Sequence, residues 1–253
     1  RTSALSAEGA RAAGNLGLPG LIRVKLPAGA SVEAAAAALE DDPSVLYAEP
    51  NYLNTISTVP NDPLFSQLWG LSQASDKDID APGAWNLTKG SAGVIVAVVD
   101  SGIAYGHPAL MNNMWVNDDP AGGGDDDGNG FVDDTVGWDF VQTDNTPLDF
   151  NGHGTHVAGT IGAQGNNGVG VVGVNWNVSL MAVRAGNASG GLETADVVSA
   201  INYACANGAD VVNGSFGGNM MSTALRDAVV SGPCADTLFV FAAGNTGRSL
   251  EGS

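Results

Sequence analysis

Positive charge is scarce in this chain. Nine Lys and Arg stand against 27 Asp and Glu, a formal net charge of −18 over 253 residues. Such a surface repels phosphates, which excludes nucleic-acid binding as the main function. No Lys or Arg at all occurs between Lys89 and Arg184, so the acids of that interval have no basic neighbour in sequence. Cations or solvent must balance them. Long apolar runs are also missing. No window approaches the ~18 apolar residues of a membrane span, and residues 1–20 lack the apolar stretch of a signal peptide. Because the first residue is Arg and not Met, this excludes a signal within these residues and not one ahead of them. Only two cysteines occur, Cys205 and Cys234. One disulfide, two buried thiols, or pairing with a cysteine elsewhere are all compatible with that number. Histidine is rarer than charge would suggest, with three in the chain, and two of them fall in one short stretch.

What is present is a hydrophobic fraction of 44%, ample for one large α/β domain and a small one. Residues 1–20 are rich in Ala, Gly and Ser, and no regular element is assigned there. Residues 21–26 (LIRVKL) alternate as a half-exposed strand. Residues 31–40 read as a helix capped by Ser31, with alanines supplying propensity and Asp42-Pro43 ending it. A short strand is predicted over 45–49 (VLYAE), followed by a turn-rich linker over 51–62. This strand–helix–strand unit is small for independent stability. From Pro63 a second domain begins, with a short helix expected over 79–85.

The histidine-rich stretch is residues 151–160, NGHGTHVAGT. Gly152 and Gly154 flank His153 and permit a sharp turn or close backbone approach, and a small, apolar helix follows. A histidine held rigidly at such a mouth has the geometry and the near-neutral pKa of a general base; a structural histidine in a Gly-rich turn is the alternative. Residues 94–102 (VIVAVVDSG) read as a central parallel strand buried on both faces, ending in Asp100. Sites in open α/β sheets lie at such carboxyl ends. Asp100 can fix the tautomer of His153 there, or simply cap the next element. Residues 238–245 (LFVFAAGN) are another buried strand, ending in Asn245, whose amide is an oxyanion donor or a turn residue. Residues 210–218 (DVVNGSFGG) run a strand into a glycine-rich edge on which a peptide can lie.

Taken in order, VAVVDSG, NGHGTHVAGT, VVNGSFGG and FAAGN resemble the consecutive signatures of the subtilisin-like serine proteases. The order of acid before base is a recorded property of subtilisin, not something the spacing shows. The resemblance implies Asp100 as orienting acid, His153 as general base and acid, and Asn245 as oxyanion donor. It also implies that Ser215, Phe216 and Gly217 pair with substrate backbone. Residues 188–191 (ASGG), with Ser189 and Gly190, read as a flexible edge on which substrate can lie opposite them. The family's nucleophile lies in a Gly-Thr-Ser segment well beyond the oxyanion Asn. After Asn245 only Ser249 and Ser253 occur, and neither has that context. The expectation is a fragment of a longer precursor, cut at both ends. Residues 1–58, whose VLYAEPNY resembles the end of the family's inhibitory propeptide, are expected to form a partial propeptide and linker that leaves through the cleft; an unrelated N-terminal α+β appendage is the alternative. Residues 59–253 form the N-terminal part of the catalytic domain. The implied fold is α/β, a parallel sheet flanked by helices, behind a small partial α+β propeptide.

Between Asp100 and His153 the chain makes a long excursion, and ten of its acids fall between Asp118 and Asp149. A loop of this length is usually functional or disordered. Within it, DDDGNGFVDD places oxygen ligands at the first, third and fifth positions and glycine at the sixth, the head of an EF-hand-type loop. The expected Ca²⁺ ligands are Asp125, Asp127, Asn129 and the Phe131 carbonyl. Val136 stands where a closing Glu belongs, so Asp133 or Asp134 must complete the shell; a solvated acidic loop is the alternative. Calcium commonly accompanies the resembled family. Residues 164–171 resemble a second calcium loop of that family, although Ala109 follows His107-Pro108 where the family has an Asp. Further strands and helices are expected over 179–183, 195–207 (ended by Gly208) and 220–230 (capped by Ser222), alternating as in a parallel sheet. The implied function is a secreted, monomeric, calcium-stabilised serine endopeptidase zymogen acting on polypeptides, with its own propeptide as partner in cis. The alternatives are an inactive pseudoprotease that binds peptide or calcium, and metal hydrolysis by His153 and His156. The last lacks the Glu of an HExxH pattern.

Overall fold

The computed structural model describes residues 9–52, 58–117, 122–218, 222–230, 232–245 and 247. Linker residues 53–57, Asp118, Met220, Ser249 and Ser253, all invoked above, lie outside them. The chain divides into two compact units, Arg1–Ile56 and Ser57–Ser253.

In the first unit, strands β1 (Arg11–Asn15) and β2 (Ile22–Lys25) pair antiparallel, with a register shift between Ala12 and Gly14. Helix α1 (Val32–Glu40) follows, and the Ser31 hydroxyl accepts from the Ala34 amide at its start. Ala35 and Leu39, four residues apart, form its buried stripe. Two expectations are corrected. Residues 11–15 do form a strand, because RAAGN, poor in strand-forming side chains, finds a backbone partner in the alternating IRVK across a short turn. Residues 45–49 form none, because among the described residues no neighbouring strand offers a ladder to them. A turn bond from Val45 N to Asp42 O and one from Ala48 N to the Glu40 carboxylate hold the segment instead, and Leu46 is left 93% exposed.

The second unit opens with the short helix α2 (Ala81–Ala84) and then alternates. Its elements are β3 (Gly90–Asp100), β4 (Gly137–Asp139), α3 (His153–Gly162), β5 (Asn177–Arg184), α4 (Thr194–Ala206), β6 (Val211–Gly214), α5 (Thr223–Val230) and β7 (Leu238–Phe241). Five strands make one parallel sheet in the order β4-β5-β3-β6-β7. Residues 96–100 of β3 are buried on both faces, as their unbroken apolar run requires. The period of two then sorts that run into two cores. Ala97 and Val99 of β3, with Met181 and Val183 of β5, pack under α4 and α5. Val96 and Val98, with Val178, Leu180 and Ala182, pack under α3. Each fully buried Val or Leu among them contributes roughly 1.5–3 kcal/mol of transfer free energy.

Helix α4 ends at Gly208, whose φ of +77° an L side chain resists. Ser222 caps α5 by accepting from Leu225 N. Cys205 at the end of α4 is disulfide-bonded to Cys234, in the turn before β7, which decides among the three arrangements that the sequence left open. Beyond β3 the chain passes first to β4 and β5 on one side, then crosses to β6 and β7 on the other. The order in which strands are added therefore reverses at β3, where a crevice is expected at the carboxyl ends of the strands.

Candidate active site

Asp100 is the last residue of β3 and His153 the first of α3. Gly154 sets their spacing. A Cβ there would stand 2.2 Å from the Gly102 carbonyl oxygen and 3.1 Å from Asp100 Cβ, so only glycine lets the helix meet the strand end this closely. His153 Nδ1 lies 2.7 Å from Asp100 Oδ1. The Asp100 side chain is 5% exposed and that of His153 52%, so the acid is fixed inside while the imidazole faces solvent. An ionised carboxylate only accepts. Nδ1 therefore carries the proton of this bond, and Nε2 presents a lone pair outward. Asp100 Oδ1 also accepts from Ser101 N at 2.7 Å. Asp100 Oδ2 is buried without a hydrogen-bond partner among the described residues.

Both residues line a cleft of about 590 Å³. Ser189, Gly190 and Gly191 line it, as do Ser215, Phe216 and Gly217. The 187–191 turn is self-contained: Asn187 Oδ1 accepts from Ser189 N and Gly191 N, and Gly190 has φ +82°. Asn151 Nδ2 donates to Ala188 O, tying the turn to the histidine loop. On the other strand end, Asn213 Nδ2 donates to Ser215 Oγ, and the Phe216 ring meets Phe241 edge-on at 6.0 Å. Leu192, Val197 and Leu225 add an apolar patch to the lining beside Phe216. Asn245 lies past the end of β7, exposed, and is not among the residues lining the cleft.

Sequence reading missed the residues that brace this pair. Asp149 accepts from the amides of Asn151, Gly152 and Thr155 and from the hydroxyls of Ser101 and Thr155. Burial pushes the Asp149 pKa up, but these hydrogen bonds outweigh it, and the net value lies below the ordinary 3.8. Only the pattern of Asp three residues before a capless Gly152 hinted at such a role.

In the acidic excursion the residues at positions one, three and five of the DDDGNG loop fold it round its own interior. Gly130 N donates to Asp125 Oδ2, Asn129 N to Asp127 Oδ1 and Phe131 N to Asn129 Oδ1. Asp134 is fully buried and shares the amide donors of Asn117 and Asn129 with Asp127, while Tyr203 OH donates to Oδ2, the oxygen that Asn129 also reaches. Asp133 is not brought to this group. Its backbone is left-handed, φ +57°, and its carboxylate accepts from Gly122 N and Gly123 N. Among the described residues no three His, Cys, Asp or Glu side chains converge as metal ligands do. A cation here would therefore have to draw the carboxylates closer together, with the Asn129 amide oxygen and the Phe131 carbonyl completing a mixed set. Such a set suits a hard, oxygen-seeking ion such as Ca²⁺.

At the 164–171 loop the sequence reading overlooked Asp62. That acid is 4% exposed; Oδ2 accepts from Asn166 N, and Oδ1 is buried without a hydrogen-bond partner among the described residues. Asn61 Oδ1 accepts from Gly168 N beside it.

Known proteins resemble this chain over most of its length. The model of the subtilase family matches residues 91–252, and that of the fervidolysin N-terminal prodomain matches residues 1–51. The chain is 37% identical over 219 residues to the thermophilic serine proteinase of Bacillus sp. (strain AK1), covering 87% of this chain and 49% of that protein. It is 35% identical over 234 residues to the halolysin-like extracellular serine protease Nep of Natrialba magadii, covering 89% and 39% respectively. The chain thus spans half or less of the length of these relatives. Among solved structures, proteases from Pseudoalteromonas arctica PAMC 21717 superpose with a TM-score of 0.60 at 29% identity, over 74% of this chain and 60% of theirs.

Proposed function

The chain belongs to the subtilase family, and from that premise we propose that it carries the acid and the base of a serine endopeptidase, with residues 1–58 acting in cis as its propeptide. The observation that carries this reading is the 2.7 Å contact between His153 Nδ1 and Asp100 Oδ1 at the mouth of the cleft. His153 Nε2 takes the proton of an attacking serine hydroxyl and returns it to the leaving amine. Asp100, buried and acceptor-only, holds the ring and stabilises the imidazolium formed in between. A serine in a Gly-Thr-Ser context of the kind the family carries would be the nucleophile, and the Asn245 amide would then donate to the oxyanion. The substrate chain lies between the 189–190 and 215–217 edges as an added strand, with an apolar side chain against Leu192, Phe216 and Leu225.

Calcium is read here as a stabiliser that takes no part in the chemistry. Asp125, Asp127, Asn129 and the Phe131 carbonyl would hold it, with Asp134 closing the shell instead of Asp133. Asp62 and the 164–171 loop form a second candidate place. Secretion is supported by the paired cysteines and the name of the Natrialba relative.

The test is catalytic. Expressed with whatever its reading frame encodes after Ser253, the protein should cleave peptides, accept a fluorophosphonate on a serine, and lose both on His153→Ala. Cutting the linker near residues 54–61 should raise activity; full activity in the uncut form would remove the propeptide reading. A frame that ends directly at Ser253, with no labelling, would favour the pseudoprotease.

A further inference from the structure

We propose that Asp149 is a positioning residue for the Asp100–His153 pair, acting through the hydroxyls of Ser101 and Thr155 as a reciprocal brace between the end of β3 and the start of α3. The inference rests on the general-base reading of His153 given above.

The cap position before α3 is Gly152, which has φ +100° and no side chain with which to cap. The first three amides of the helix are satisfied by others. His153 N donates to Asn151 Oδ1, Gly154 N to Ser101 Oγ, and Thr155 N to Asp149 Oδ2. Ser101 is the residue directly after the catalytic-type acid, and Gly154 the one directly after the histidine. A single hydroxyl thus joins the two segments, 3.0 Å from the helix amide. The reverse bond exists as well: Thr155, on the helix, accepts at Oγ1 from Ala104 N, on the segment leaving β3, at 2.9 Å.

Each hydroxyl has one proton, and its direction decides whether the brace forms. To accept from Gly154 N and Ala104 N, both hydroxyls must point their protons elsewhere. Asp149 receives both, Ser101 Oγ–H at Oδ1 (2.9 Å) and Thr155 Oγ–H at Oδ2 (2.6 Å). A carboxylate is the one side chain that offers two acceptor oxygens and no donor. An amide in its place would present an NH₂ to one of the two hydroxyls and force that hydroxyl to turn. Asp149 therefore sets the polarity of both cross-links at once, and the three amide bonds it also accepts fix the loop that carries it. Ser101 is 3% exposed, so its hydroxyl has no bulk water as a substitute partner. Steric contact at Gly154 sets how close helix and strand can come; the brace sets their register, on which the aim of His153 at Asp100 depends.

The experiment is NMR on this chain, comparing wild type with Asp149→Asn, Ser101→Ala and Thr155→Val, each checked for its fold by circular dichroism. The readouts are the low-field resonance of the His153 Nδ1 proton, the titration midpoint of His153, and amide exchange at Gly154 and Ala104. Expected for all three variants are loss or upfield movement of the low-field resonance and a lowered His153 midpoint. Exchange should quicken roughly fivefold at Gly154 in Ser101→Ala and at Ala104 in Thr155→Val, the effect of one lost hydrogen bond. Thr155→Ser, which keeps the hydroxyl, should restore wild-type values and guards against a variant that merely unfolds. Unchanged resonance and midpoint in the folded variants would overturn the brace while leaving the general-base reading intact. Absence of the low-field resonance in wild type would instead overturn that reading.

Discussion

Replacing Gly154 by alanine sets two effects of similar size against each other. In a helix interior, Gly to Ala gains about 1 kcal/mol of propensity. At this position the new Cβ would stand 2.2 Å from Gly102 O, against the 3.0 Å below which real Cβ contacts essentially never fall. The neighbour is backbone and cannot rotate away, so α3 must withdraw from β3 by at least roughly 0.8 Å, at an overpacking cost of about 1–3 kcal/mol. Stability should therefore fall by about 0–2 kcal/mol, a modest change. The effect on chemistry should not be modest. The same displacement along the His153–Asp100 line would lengthen the 2.7 Å bond to about 3.5 Å, where it ceases to orient the ring. A misplacement near 1 Å costs catalysis about 100-fold. The control is Gly159→Ala in the same helix, where a Cβ meets nothing within 4 Å. That variant should gain up to about 1 kcal/mol and keep its activity. Urea denaturation and kcat of the active protease, measured on both variants, separate the terms. Wild-type kcat in Gly154→Ala would refute the reasoning, since the pair would then tolerate the withdrawal.

Three other outcomes are expected. Calorimetric titration with Ca²⁺ should show Asp127→Ala and Asp134→Asn weakened by about 10–100-fold, and Asp133→Ala much less affected; equal affinities in all would sink the mixed-ligand reading. Removing the disulfide as Cys205→Ser with Cys234→Ser opens a loop with a sequence separation of 29 and should cost about 3–4 kcal/mol in chemical denaturation; no loss would mean that the reduced chain already holds this loop closed. Asp149 has a folded pKa below its ordinary 3.8, so its contribution to stability is complete above that value and is lost as pH falls through the lower folded value. Acid unfolding of Asp149→Asn compared with wild type should show the difference shrinking below pH 3.8, and a constant difference would contradict it.

The sequence by itself determined the elements that one-dimensional patterns encode. The apolar run of 94–99 read as a buried strand and is one from Val96 onward, and α4 followed from its helical spacing and Gly208. Residues 238–241 form a strand too, but a largely exposed one, not buried as their apolar letters suggested. The acid and the base stood out because each ends or begins an element beside glycine. Tertiary structure alone decided matters in which the partner is distant in sequence. Strand β1 exists because β2 pairs with it, and 45–49 has no strand because no ladder reaches it among the described residues. Cys205 and Cys234 pair because the end of α4 and the turn before β7 are brought together. Asp134 rather than Asp133 joins Asp127 because one residue of left-handed backbone turns Asp133 the other way. Asp149 looked like one more acid in a long acidic excursion. Its five donors come from segments 2–48 residues away, and their convergence on one carboxylate is a property of how β3 and α3 meet. Hydrophobic periodicity is local and survives in a string of letters, whereas the direction of a hydroxyl proton depends on every group packed around it.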